Sequence, residues 1–333
     1  MKIIGIGNAL VDVLAFLEDE NTLKRFQLQR GGMELIDETR RKEIAALLDT
    51  LNPKKTTGGS AGNTILSLAC LGTSPGFIGR IGNDDMGRFF AENCKARGIE
   101  ARLDKGEGAT GVAHTFISAD GERTFATYLG EAARLDKGFL TPDLFHGYDL
   151  LHVEGYLVTD HALIEHAMRM AKSCGMKVSL DLASYNVVAQ DLAFFRHLVQ
   201  DYVDIVFANE EESEAFTQGK KPEEALQEIA GMCETAIVKL GKQGSIAQRD
   251  QETAHTTGST GPVLDTTAAG DFFAGGFLYG YGTGWSLQQC LEAGALLSSQ
   301  VIQVIGTQVP QDKWEDIRQK LEKREERQGR EER

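Results

Sequence analysis

From residue 150 onward short apolar runs alternate with helix-length segments, and this alternation constrains the fold more than any other feature of the chain. Residues 150–153, 176–180 and 204–208 read as strands, and 160–174 and 187–199 as helices. Strands separated by helices of this length pair in parallel, with helices covering both faces and ligands taken at the strands' C-terminal ends. Upstream, residues 2–7 and 76–81 read as further buried strands. Residues 84–97 read as an amphipathic helix with Met86, Phe89, Phe90 and Cys94 inward. One segment breaks the pattern. Residues 110–129 carry Val112, His114, Phe116 and Ser118, then Arg123, Phe125, Thr127 and Leu129, around Asp120-Gly121, which is the signature of a β-hairpin. A hairpin is out of place in a parallel sheet, so it is predicted to join the segment 10–36 in a small separate sheet.

Chemistry concentrates near the C-terminal end, in Asp265-Thr266-Thr267-Ala268-Ala269-Gly270-Asp271 followed by Phe272-Phe273-Ala274-Gly275-Gly276-Phe277. Small residues open directly into a helix, whose first N–H groups point outward unpaired and carry the positive end of the helix dipole. Such a start is an anion site. A carboxylate there is unfavourable beside an anion unless it accepts a proton from a hydroxyl attacking phosphorus, so Asp271 is either a helix cap or the base of a phosphoryl transfer.

Further candidates follow in chain order. Asp12 lies among Val11, Val13 and Leu14, where an ionised carboxylate needs strong donors such as adjacent sugar hydroxyls, or else faces solvent on an alternating strand. Residues 57–63 are glycine-rich. There Gly58 and Gly59 allow close approach of a ligand to the backbone, and Asn63 offers a donor and an acceptor. Asn209 and Glu212 have the spacing of a capping box at a strand end. Residues 238–245 read as a strand, a glycine turn at Gly241 and Gly244, and a returning strand. No GxxxxGK[ST] occurs, and Gly5-x-Gly7-x-x-Leu10 lacks the third glycine of a dinucleotide fingerprint. Seven histidines show no metal-ligand spacing, and no direct metal-ligating cluster is assigned.

Residues 265–278 fit the C-terminal signature of the ribokinase-like (PfkB) carbohydrate and nucleoside kinases, and the other landmarks recur in order over nearly the whole chain. Gly7-Asn8-Ala9-Leu10-Val11-Asp12 and Gly58-Gly59-Ser60-Ala61-Gly62-Asn63 resemble adenosine kinases most, although Ile65 stands where the N-terminal signature prefers a small residue. The resemblance implies one ribokinase-like domain over 1–333: a mostly parallel sheet with helices on both faces, and a small β-sheet lid from about 10–36 and 108–130. It implies ATP and Mg²⁺ as cofactors and Asp271 as base, with Ala268, Ala269 and Gly270 holding the developing charge. Asp12, Gly58, Gly59, Asn63 and Tyr156 would bind the acceptor. Asn209 and Glu212 would order magnesium waters, and Lys239, Gly241 and Gly244 would lie along ATP. Asp265 and Thr267 match a loop that binds K⁺ in some members, while Pro310 stands where some of those carry serine, so both outcomes stay open for that cation. The acceptor implied is the 5′-hydroxyl of adenosine, with a free sugar or sugar acid (ribose, fructose, ketodeoxygluconate) as the alternative.

Composition agrees with a small-molecule enzyme. At 333 residues, 41% hydrophobic and 25% charged, the chain can bury a large core, and a formal charge of −14 argues against nucleic acid or an anionic membrane as partner. Five scattered cysteines without a CxxC favour a reducing, cytoplasmic location. The lid would leave the protein a monomer or pair two copies.

Overall fold

The computed structural model describes residues 1–17, 19, 21–119, 122–258 and 261–331, without the side chains of 323–331. Its strands are β1 Ile3–Ile6, β2 Leu10–Phe16, β3 Met33–Leu35, β4 Lys54–Gly58, β5 Gly76–Gly82, β6 Glu100–Gly106, β7 Gly111–Ile117, β8 Arg123–Tyr128, β9 Leu150–Glu154, β10 Lys177–Asp181, β11 Ile205–Asn209, β12 Thr235–Lys239, β13 Ser245–Arg249 and β14 Glu252–Thr256. Among the described residues nine of them form one sheet in the order β14-β13-β12-β11-β10-β9-β1-β5-β6. Pairing is parallel from β12 to β6 and antiparallel where β13 and β14 return along the edge.

Both faces of this sheet are covered, and the strands show why. In β11, Ile205 and Phe207 enter the core on one side while Val206 and Ala208 enter the core on the other, all fully buried. Each such large side chain contributes roughly 1.5–3 kcal/mol on burial. From β1 the chain builds outward through β5 and β6, then returns to β9 on the other side of β1 and continues to β14. Strand order therefore reverses between β1 and β9, where the C-terminal strand ends open a crevice.

The second sheet runs β3-β8-β7-β2-β4. As expected, the 110–129 hairpin joins the N-terminal segment, through parallel pairing of β2 with β7 in the register Asp12↔Ala113. The Asp120-Gly121 turn lies outside the described residues. Two features differ from expectation. Lys54–Gly58, polar and charged, is a strand antiparallel to β2, because backbone pairing with Leu10–Leu14 supplies what its side chains do not. The single helix expected over 187–199 is two helices, Tyr185–Gln190 and Leu192–Asp201. They break at Asp191, which leaves helical geometry (ψ 31°) and whose carboxylate lies 3.1 Å from His161 Nε2.

Candidate active site

The helix Ala269–Thr283 positions the centre of the site. Its cap, Ala268, adopts a left-handed φ of +60°, a strained conformation for a residue with a Cβ that persists where surrounding structure imposes it. The Ala269 N–H turns to the Thr266 carbonyl at 3.2 Å, which removes it from the set of anion donors expected at Ala268, Ala269 and Gly270. Helix geometry leaves the amides of Gly270 and Asp271 pointing outward in the first turn. The helix then sinks into the core: Phe277 meets Phe207 edge-on at 5.4 Å, and Gly275 faces Ser67 and Thr64 of the helix Ser60–Cys70.

That second helix reaches the same point from the other side. Ser60 Oγ donates to Asp271 Oδ1 at 2.8 Å and Asn63 Nδ2 to Oδ2 at 2.9 Å. Asn63, expected on the acceptor, is thus a ligand of Asp271, while its buried Oδ1 has no hydrogen-bond partner. Ser60 was missed; its neighbours Gly59 and Asn63 drew attention, but a lone serine carries no local signal. Burial raises the Asp271 carboxyl to about 7; Asn63 opposes the shift, Asp181 adds to it, and Ser60 and Lys239 oppose it.

Asp12 faces Asp271 from β2. Burial, then Asp271 and Asp265, push its carboxyl up to about 7 against the pull of Arg123. Gly58 makes the room: a Cβ there would lie 2.3 Å from Asp12 Oδ1. Gly59 takes a left-handed φ of +89°, and its missing Cβ would strike the Asn8 carbonyl at 2.1 Å. At the β1/β9 crossover Glu154 accepts from the Asn8 amide and, at 2.9 Å, from Ala61 N–H, which ties the loop after β1 to the start of the Ser60–Cys70 helix.

Arg123, expected only as a hairpin residue, reaches from β8 into the loop before the helix Ala269–Thr283. Its Nη1 donates to Thr267 Oγ1 at 3.0 Å and its Nη2 lies 2.6 Å from Asp265 Oδ2. Asp265 also accepts from the amides of Thr267 (2.8 Å) and Gly306 (2.6 Å). The residues proposed for a monovalent cation are therefore already engaged by a guanidinium.

Farther along the sheet, Asn209 and Glu212 form the capping box: Glu212 N–H donates to Asn209 Oδ1 at 2.8 Å, and the Asn209 amides donate to the two Glu212 oxygens at 2.8 and 2.7 Å. Burial raises the Glu212 carboxyl to about 7, opposed by Lys239. Each carboxylate oxygen keeps a lone pair for a water, so the pair fits a hydrated divalent cation held through waters. Among the described residues no group of three or more His, Cys, Asp and Glu side chains could hold a metal directly. Lys239 is largely enclosed and donates to Asp181, a residue without a sequence signal. Gly241 and Gly244 form the turn into β13, Gly244 at φ +102° under the Thr256 carbonyl. Tyr156, half-exposed beyond β9, donates to the Ala183 carbonyl at 3.3 Å. Burial, then Asp181 and Asp271, raise its phenol well above the ordinary value. No helix among the described residues is long and apolar enough to cross a membrane.

The profile of the pfkB family carbohydrate kinases matches residues 33–314. The 5-dehydro-2-deoxygluconokinase of Geobacillus thermodenitrificans is 29% identical over 274 residues, covering 76% of this chain and 80% of that protein. Others of that name match at 26–29% identity. Among solved structures, a probable sugar kinase from Rhizobium etli superimposes with a TM-score of 0.83 at 32% identity, covering 92% of this chain and 94% of that one. An adenosine kinase from Sinorhizobium meliloti does so with a TM-score of 0.82 at 32% identity, covering 92% and 95%.

Proposed function

The chain belongs to the pfkB family of carbohydrate kinases, and from that premise we propose that it transfers the γ-phosphoryl group of ATP to a primary hydroxyl of a sugar acid resembling 5-dehydro-2-deoxygluconate. The observation that carries the chemistry is the Asp271 carboxylate, fixed by Ser60 and Asn63 at a helix N-terminus and opposed by Asp12. Asp12 holds the acceptor's hydroxyls under the second sheet, which acts as a lid. As the acceptor oxygen bonds to the γ-phosphorus, its proton passes to Asp271, and the bond to the β,γ-bridging oxygen breaks with its electron pair leaving on ADP. The Gly270 and Asp271 amides meet the charge on the transferring group. Asn209 and Glu212 would hold the waters of a divalent cation, which when bound neutralises phosphate charge.

The sequence alone favoured adenosine. What moves the acceptor to a sugar acid is the run of 5-dehydro-2-deoxygluconokinases among the relatives. Adenosine stays as a second reading because half-exposed Tyr156 offers a ring for a base, and one structure at 32% identity is an adenosine kinase.

The test is ATP consumption with Mg²⁺ against 5-dehydro-2-deoxygluconate, ketodeoxygluconate, ribose, fructose and adenosine. Turnover on a sugar acid alone is the expected result; turnover confined to adenosine replaces the acceptor, and silence on all removes it. Asp271→Asn keeps substrate affinity and loses about 10²–10⁴-fold in kcat, the usual worth of a positioned base.

A further inference from the structure

One buried charge pair beside the site has no part in that account. Asp181 ends β10 and Lys239 ends β12, so the two side chains reach across the intervening β11, and Lys239 Nζ lies 3.0 Å from Asp181 Oδ2. Their side chains are only 14% and 8% exposed, for the lysine and the aspartate respectively.

The pair is aimed as well as paired. The other carboxylate oxygen, Asp181 Oδ1, accepts from Ala183 N–H at 3.0 Å, and Ala183 holds a left-handed φ of +69° that a residue with a Cβ adopts only under constraint. The Ala183 carbonyl in turn takes the Tyr156 hydroxyl. At the other end the ammonium stops against Gly270, where a Cβ would stand 3.0 Å from Nζ. Gly270 is the second residue of the helix Ala269–Thr283, whose first-turn amides are the expected anion donors. An ammonium against the positive end of a helix is unfavourable on its own. Asp181 supplies one negative charge, and the placement favours the arrival of more.

We propose that Lys239 contacts the phosphoryl group while it is in transit, and that Asp181 is the positioning residue that holds the ammonium there. This rests on the phosphoryl-transfer reading of Asp271. In that step the bond to the acceptor oxygen forms, the bond to the ADP oxygen breaks and the hydroxyl proton goes to Asp271. Lys239 gives up no proton in this step. A lysine that only bound resting ATP would act equally on ground state and transition state; this one acts on the transition state.

Steady-state kinetics of Lys239→Met, Asp181→Asn and the double variant, with ATP and the acceptor found in the panel, test it. Lys239→Met should lower kcat about 10²-fold, the scale of one lost oxyanion donor, with KM for ATP within about threefold of wild type. The nearly isosteric Asp181→Asn should lower kcat about tenfold at unchanged KM, and the double variant should be no slower than Lys239→Met. A second readout uses binding rather than turnover: by calorimetry, ADP, Mg²⁺ and aluminium fluoride with acceptor should bind Lys239→Met at least tenfold more weakly, while ADP and Mg²⁺ bind as before. Wild-type kcat in both single variants, or a loss confined to KM, overturns the proposal. If Lys239→Met does not fold, Asp181→Asn alone decides by the same kcat and binding readouts. Full turnover by Asp271→Asn would instead defeat the phosphoryl-transfer reading beneath it, whatever the Lys239 variants do.

Discussion

Glu212 is buried and Asp12 and Asp271 are half-buried, and each is pushed up to about 7, first by desolvation and then by like charges around them. In the unfolded chain the same groups ionise near 4. Between those two values the folded protein binds more protons than the unfolded one, so stability falls as pH rises from about 4 to about 7, with the full penalty above. Thermal unfolding should therefore show a higher Tm at pH 5 than at pH 7.5. Asp12→Asn removes one of the three groups and should flatten that slope; an unchanged slope would mean that Asp12 is not held in this state. The same shift governs turnover with the opposite sign, because Asp271 accepts a proton only when ionised. The acid limb of kcat/KM, which reports the free enzyme, should fall off below about pH 7, a midpoint far above that of an ordinary aspartate.

The carboxylate is placed by two helices whose crossing admits no side chain at Gly275. A Cβ there would stand 1.7 Å from Ser67 Oγ and 3.0 Å from the Thr64 carbonyl. Gly275→Ala is expected to cost about 1–3 kcal/mol as overpacking, and to lower kcat by moving Asp271 off Ser60 and Asn63. Gly282→Ala is the control in the same helix: only Met1 Cβ, at 3.2 Å, lies close, and alanine inside a helix gains roughly 0.5–1 kcal/mol over glycine. Equal destabilisation by both would show that the cost is not specific to the crossing at Gly275. At this scale the sequence was informative where the signal is local. The glycine pair one turn beyond Asp271 announces close packing, and Asn209 with Glu212 announces a cap. Ser60, Asp181 and Arg123 announce nothing, because each acquires its role from a partner 211, 58 and 144 positions away respectively. β4 was illegible for a related reason: Lys54 and Lys55 look like loop residues until β2 lies beside them.

At the scale of the whole chain, the alternation after residue 150 and the misfit hairpin were enough to separate a parallel sheet from a second small one. What joins the two was not legible. Arg123 stands on β8 of the small sheet and pairs with Asp265 and Thr267 in the loop that leads into the helix Ala269–Thr283 against the large one, with Asp265 fully enclosed. Burial lowers the guanidinium's proton affinity, and Asp265 and Asp12 oppose that shift in part. Removing one partner of such a pair typically costs about 3–5 kcal/mol because the other charge is left buried. The Thr267 and Gly306 amides still serve Asp265, so Arg123→Met is expected near the lower end. Arg123→Met/Asp265→Asn should cost at least about 1 kcal/mol less than the sum of the single changes, the mark of a direct coupling. Amide exchange locates the effect: in Arg123→Met, exchange should quicken through β7, β8 and the Asp265–Thr267 loop while β10 and β11 stay protected. Uniform loss of protection across both sheets would mean that Arg123 supports the fold as a whole, and the two sheets would then be joined by their packing instead of by this one contact.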